Sequence, residues 1–139
     1  MNSISVFSCI VSQYCGIARP WIGDTSNPLY KKYNSFNTGI CINGDGVYSY
    51  TTGTVIAVGH DDDGYAVSIQ YDAFTCLRYT HLLTTTVSAG DQVQSNSFIG
   101  YADKFVRFEY ATTAVSNWPV RIGTQTYYKH DPADMLRGD

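Results

Sequence analysis

Residues 54–71 read Thr-Val-Ile-Ala-Val-Gly-His-Asp-Asp-Asp-Gly-Tyr-Ala-Val-Ser-Ile-Gln-Tyr, and this stretch decides the fold. Thr54 to Gly59 is a strongly β-branched run, which suits a pleated and half-buried surface. Asp61-Asp62-Asp63-Gly64 then turns the chain. Beyond it, Tyr65, Val67, Ile69 and Tyr71 alternate with Ala66, Ser68 and Gln70. A side-chain period of two places the first set on one face and the second on the other. Two extended runs around a glycine-containing turn predict an antiparallel hairpin.

The same grammar extends along the chain. Asp72-Ala73 leads into a strand from Thr75 to His81. Gly90-Asp91 and Ser95-Asn96 are turns before Val93 and before Phe98-Ile99-Gly100, and Phe105 to Thr112 is extended again. Ile4 to Val11 reads as a first strand, and Gly23 to Asn37 as a polar loop packed by Tyr30 and Tyr33. Only Pro132 to Leu136 reads as a helical turn. With 12 Tyr and 12 Gly, the composition also favours strands and turns. The expectation is an all-β fold, an antiparallel sheet or sandwich with very little helix, formed by residues 1–139 as a single domain. A chain of 139 residues buries a core without disulfides or metal.

Several function classes fall away. The net charge is −3 with no long run of either sign, so no duplex nucleic acid partner is expected. Residues 1–15 lack a basic segment, and no apolar run approaches the ~20 residues that span a bilayer. Neither a secretory signal nor a membrane partner is therefore expected. Cys9, Cys15, Cys41 and Cys76 have no Cys-x-x-Cys spacing and read as four reduced, mostly buried thiols, with a Cys9–Cys15 disulfide as the alternative. His60 with Asp61, Asp62 and Asp63 reads as a solvated acidic turn. Cys76 and His81 are an odd number apart on one strand, which sends them to opposite faces and argues against a nucleophile–base pair.

Three short segments carry the chemistry: Asn37-Thr38-Gly39-Ile40-Cys41, Arg78-Tyr79-Thr80-His81-Leu82 and Phe105-Val106-Arg107-Phe108-Glu109. In this order, with Val87 to Gly100 between the last two, the chain resembles the lysostaphin-type (LytM-like) zinc endopeptidases of bacterial cell walls. That family binds zinc through His-x-x-x-Asp and the last His of His-x-His. The resemblance puts Asn37, Cys41 and Arg107 at the three ligand positions and Phe105 at a catalytic His. His81 falls on the family's strand-terminal His-Leu, the one active-site position kept. The implied fold is the LytM-like, duplicated hybrid motif type of β-sheet.

These replacements have chemical content. Asn binds transition metals weakly, and Arg offers no lone pair to a metal. Cys41 is either a lone thiolate ligand or a small core residue. By strand alternation Phe105, Arg107 and Glu109 share one face, as do Tyr79 and His81. Arg107 either grips an anionic or planar group beside Phe105 and Tyr79, or pairs with Glu109 or Asp103 over an empty site. His81 either contacts a ligand or is held by a hydrogen bond to a Tyr or Asp.

The resulting expectation is a non-catalytic module without cofactor, metal or catalytic residue. Its ligand-binding residues would be Tyr79, His81, Phe105, Arg107, Asn37 and Cys41. Small domains of this family without a signal segment are similar to those in bacteriophage tail proteins. A phage-encoded protein is therefore expected, made in the host cytoplasm and incorporated in the virion tail. Its partners would be other virion subunits or cell-wall peptide, in a homo-oligomer or larger assembly. Two alternatives stand beside it: a soluble phage protein that sequesters an anionic nucleotide signal of host defence, and an active zinc endopeptidase with altered ligands.

Overall fold

The computed structural model describes residues 7–136. Its strands are β1 (Ile17–Arg19), β2 (Ile40–Asn43), β3 (Gly46–Tyr48), β4 (Gly53–Asp61), β5 (Gly64–Asp72), β6 (Thr75–Thr85), β7 (Gln92–Val93), β8 (Phe98–Thr112), β9 (Pro119–Ile122) and β10 (Gln125–His130). All pair antiparallel in one sheet with the main order β1-β2-β8-β6-β5-β4-β7. The fold is thus the mostly antiparallel β architecture expected, built as one open sheet. The β4–β5 pair is the hairpin read from residues 54–71.

The 15-residue β8 organises the rest, because β2, β3, β6 and β10 all pair with it. Its alternation sorts the molecule. Val106 and Phe108 are fully buried and join Ile42, Val67, Ile69, Leu77 and Tyr79 in the main core. The Tyr79 and Phe108 rings meet edge to face, with centroids 5.3 Å apart. Arg107 and Glu109 point the other way. A smaller cluster of Cys76, Ala111, Ile122 and Tyr127 seals the β9–β10 hairpin onto that second face.

Two local expectations change. Residues 4–6 of the expected first strand lie outside the described residues. Residues 7–10 form a turn, with Ile10 and Val11 N–H both donating to the Phe7 carbonyl, and Val11 bridges Val47. Ile10 and Val11 still bury completely, as a plug on the core instead of a strand. The polar loop at 23–37 contains a short helix, α1 (Pro28–Tyr33). Asn27 caps its first turn, Pro28 starts it, and Asn34 in the left-handed region at φ 55° ends it. Asn-Pro signals a turn, but Asn followed by Pro is also a helix cap and first position. Residues 132–134 make the expected helical turn, a 3-10 turn capped by Asp131. Among the described residues no helix is long and apolar enough to cross a membrane.

Candidate functional site

Strand register builds the site. On β6 and β8, Arg78 faces Glu109 and Thr80 faces Arg107, while Cys41 on β2 faces Arg107 from the other side. Gly39 lets β2 start this close to β8, since a Cβ there would lie 2.8 Å from the Phe108 carbonyl and 2.9 Å from Arg107 Cγ. Arg78, Thr80, His81, Arg107, Glu109 and Lys129 line a cleft of about 250 Å³ over this part of the sheet. Asp61 and Asp63 of the β4–β5 turn stand at its rim.

His81 reaches this cleft through a bulge. The β5–β6 register shifts between the pairs Val67–Tyr79 and Tyr65–Leu82, so Thr80 and His81 together oppose the single residue Ala66, and His81 sits at φ 69°. A bulge inserts one residue and re-aims the next side chain, so Thr80 and His81 both face the cleft. The His81 ring stacks on Phe105 with centroids 4.0 Å apart and planes 6° from parallel. Its Nδ1 lies 3.0 Å from the Phe105 carbonyl, which only accepts, so Nδ1 carries the proton. The partner of His81 is therefore a backbone carbonyl and a ring, not the expected Tyr or Asp.

The bulge corrects the placement of Tyr79. It lies in the main core at 0% exposure, on the opposite side of the sheet from the cleft. Its hydroxyl accepts the Tyr50 N–H at 2.9 Å, and burial pushes its pKa far up. Tyr79 is a packing residue and leaves the ligand set. The bulge also puts Cys76 and His81 on the same face, against the parity argument. Cys76 is sealed beneath Ile122 and Tyr127 and its pKa is pushed up to about 12 by burial, so it still makes no nucleophile–base pair.

Asn37 and Cys41 also move, from lining to wall. Both are buried, and neither lines the cleft. The Asn37 amide donates to the carbonyls of Pro20 and Gly39, at 2.9 Å each, and lies 3.8 Å from Cys41 Sγ. Burial raises the Cys41 pKa, opposed in part by Arg107, so the thiol stays protonated at neutral pH. The expectation of mostly buried thiols holds for Cys41 and Cys76, whereas Cys9 and Cys15 are exposed. A thiol reagent at pH 8 is expected to modify Cys9 and Cys15 within minutes, and Cys41 and Cys76 only after denaturation. Mass spectrometry of the labelled peptides checks this, and fast native labelling of Cys41 would contradict its placement.

The dominant electrostatic feature is Glu109. Its carboxylate is 2% exposed and meets three cations. Arg78 Nη1 donates to Oε1, Lys129 Nζ donates to Oε2 at 3.1 Å, and Arg107 Nε lies 3.5 Å from Oε2. The last contact is close enough for attraction but misaligned, so Arg107 Nε is buried without a hydrogen bond. Lys129 also donates to Thr38 at 3.1 Å, and Arg107 Nη2 is 3.9 Å from the exposed Asp63 carboxylate. Arg107 thus has a carboxylate partner, Glu109 and not Asp103. The acidic turn is solvated, yet Asp63 faces the cleft as well.

The structure gathers Asn37, Cys41, Arg107, Phe105 and His81 around one point of the sheet. This donor set does not fit a zinc ion. Its Asn offers only a neutral amide oxygen, its Arg has no lone pair, and Cys41 and His81 alone fall short of the three protein ligands a zinc site needs. Among the described residues no three His, Cys, Asp or Glu side chains are grouped to hold a metal. Arg78, Thr80, Lys129 and Asp63 were not anticipated as site residues. Alternation of Arg78 and Thr80 with Glu109 and Arg107 across two strands was the available signal for the first two. Lys129 arrives from the C-terminal hairpin, and nothing local marks it.

Comparison with known proteins agrees with the fold. The NMR solution structure of lysostaphin superposes with a TM-score of 0.66 at 17% identity, covering 92% of this chain and 54% of that one. This chain therefore spans about half the length of lysostaphin. The SpoIIQ–SpoIIIAH pore forming complex gives a TM-score of 0.68 at 18% identity, with 90% and 89% covered. The catalytic domain of the prophage-encoded M23 protein EnpA from Enterococcus faecalis gives 0.59 at 19%, with 74% and 84% covered. A comparison with curated protein sequences finds no match. Residues 35–115, more than half of the chain and all of the cleft lining except Val120 and Lys129, match the description "Peptidase family M23". The chain belongs to peptidase family M23.

Proposed function

We propose that this chain is a non-catalytic M23 module that works as a binding or structural protein through the cleft on β6 and β8. One observation carries the reading. At the position where the sequence motifs align with the family's metal ligands, Arg107 lies in ionic contact with the buried Glu109. A guanidinium there excludes a divalent cation by charge and offers it no donor. Asn37 beside it, a neutral amide whose NH2 donates to two backbone carbonyls, supports the same reading.

The proposal extends to a phage-encoded, virion-associated protein, first made in the host cytoplasm. Its support is the likeness to a prophage-encoded M23 protein and the exposed aromatic and aliphatic side chains that suit subunit packing, among them Tyr71, Phe74, Tyr101 and Val115. A neighbour that sits in a pore forming complex supports protein partners for this fold.

The test is chemical. The purified chain, dialysed without chelator, is expected to hold well under one zinc per chain by elemental analysis and to release no fragments from purified peptidoglycan. Stoichiometric zinc together with cross-link cleavage would return the chain to the active peptidases. Co-sedimentation with purified phage particles separates a virion component from a protein left free in the lysate.

A further inference from the structure

The cleft floor is unevenly charged. Three cations, Arg78, Arg107 and Lys129, face one buried carboxylate, Glu109. The lining as a whole balances only because Asp61 and Asp63 stand at the rim. Asp61 is occupied in its own turn, accepting the Asp63 N–H at 2.8 Å. Asp63 is 70% exposed, and its contact to Arg107 Nη2, at 3.9 Å, is longer than a hydrogen bond. Arg107 is therefore under-used. Among the described residues its guanidinium makes no hydrogen bond, and its Nε is buried without one. A guanidinium with two ionic neighbours but no hydrogen bond to either, and with open fork positions, is a receptor for a planar or tetrahedral oxyanion.

From this, and resting on the non-catalytic reading above, we propose that the cleft binds the oxyanion head of a small ligand, a carboxylate or a phosphate, on Arg107, and that Asp63 is the displaceable competitor for that place. An exposed ion pair contributes little, whereas a two-point oxyanion contact on a half-buried guanidinium is one of the stronger polar contacts. The incoming anion takes over the fork, and Asp63 returns to water. The excess charge of Arg78 and Lys129 offsets the repulsion from Glu109. The volume of about 250 Å³ admits a head group with a short appendage. His81, its ring stacked on Phe105, bounds one side.

Isothermal titration of the wild-type chain with inorganic phosphate, adenosine monophosphate and N-acetyl-alanine tests this and separates the two sources of the head group. Binding of phosphate and of at least one of the other two is expected, weakening as salt rises. Asp63→Asn, on an exposed turn away from the core, is expected to tighten phosphate about two- to fivefold by removing the competitor. Arg107→Gln is expected to weaken it about tenfold or more. Absence of binding by all three probes, or an Asp63→Asn variant that binds no tighter, overturns the inference, and the second result does not depend on how Arg107→Gln folds. Zinc content and peptidoglycan release measured on the same samples keep the two ideas apart. Zinc-free, inactive protein that ignores anions removes only the oxyanion site, and zinc-loaded, active protein removes the reading beneath it.

Discussion

Replacing Glu109 with alanine is expected to lower the free energy of unfolding by about 3–5 kcal/mol, the range for breaking a buried ion cluster from one side. The physical reason is what stays behind. Arg78, Lys129 and Arg107 converge on this carboxylate, and their side chains are only 17%, 18% and 32% exposed. Without it, three like charges share a cleft floor that water only partly reaches. Glu109→Gln separates charge from volume, because it keeps the packing and one acceptor for Arg78, and it should lose less than the alanine variant. Coupling gives the sharper check. In the Glu109→Ala background, Arg78→Met removes one stranded cation, so the double variant should cost less than the two single losses added. Urea denaturation of the wild type, the three single variants and the double variant measures all terms. A loss below about 1 kcal/mol for Glu109→Ala, the scale of a surface pair, would mean the carboxylate does not hold the cations together.

The same cluster marks the limit of what local sequence reveals. The β4–β5 hairpin was legible because alternation and a glycine turn are local signals, and both survive in the register from Thr54 with Gln70 to Asp61 with Gly64. The face shared by Phe105, Arg107 and Glu109 was legible for the same reason, since β8 runs through this segment without a break. β6 was not. Its bulge at Thr80 and His81, opposite Ala66 of β5, carries no glycine and no distinctive residue, so strict alternation put Tyr79 and His81 together when the inserted residue separates them. Tyr79 went to the core and Thr80 to the cleft. Lys129 was invisible for a different reason. Its contact with Glu109 depends on β10 folding back along the end of β8, with His130 paired to Tyr110, and a long-range pairing leaves no mark in the residues around either partner. The helix at 28–33 shows a third kind of loss, in which one dipeptide, Asn27-Pro28, serves a turn and a helix start equally well.

Restoring the family's residues is expected to restore its metal. The variant Asn37→His, Cys41→Asp, Phe105→His, Arg107→His should retain about one zinc per chain after dialysis, where the wild-type chain retains none. The backbone already supplies the convergence. Asn37 and Cys41 side chains lie 3.8 Å apart, and Cys41 pairs across the strands with Arg107. The change from Arg107 removes the cation that repels a metal, while Arg78 and Lys129 still neutralise Glu109. Without zinc the variant should be less stable than wild type, because it buries a carboxylate and imidazoles that have lost their partner. With zinc at about a thousand times its dissociation constant, linkage returns about 4 kcal/mol. The melting temperature should therefore rise steeply with added zinc in the variant and stay flat in the wild type. A folded variant whose melting temperature ignores zinc would show that residues 37, 41 and 107 do not occupy the ligand positions. The guanidinium of Arg107 would then be an ordinary partner of Glu109 and not the replacement of a metal.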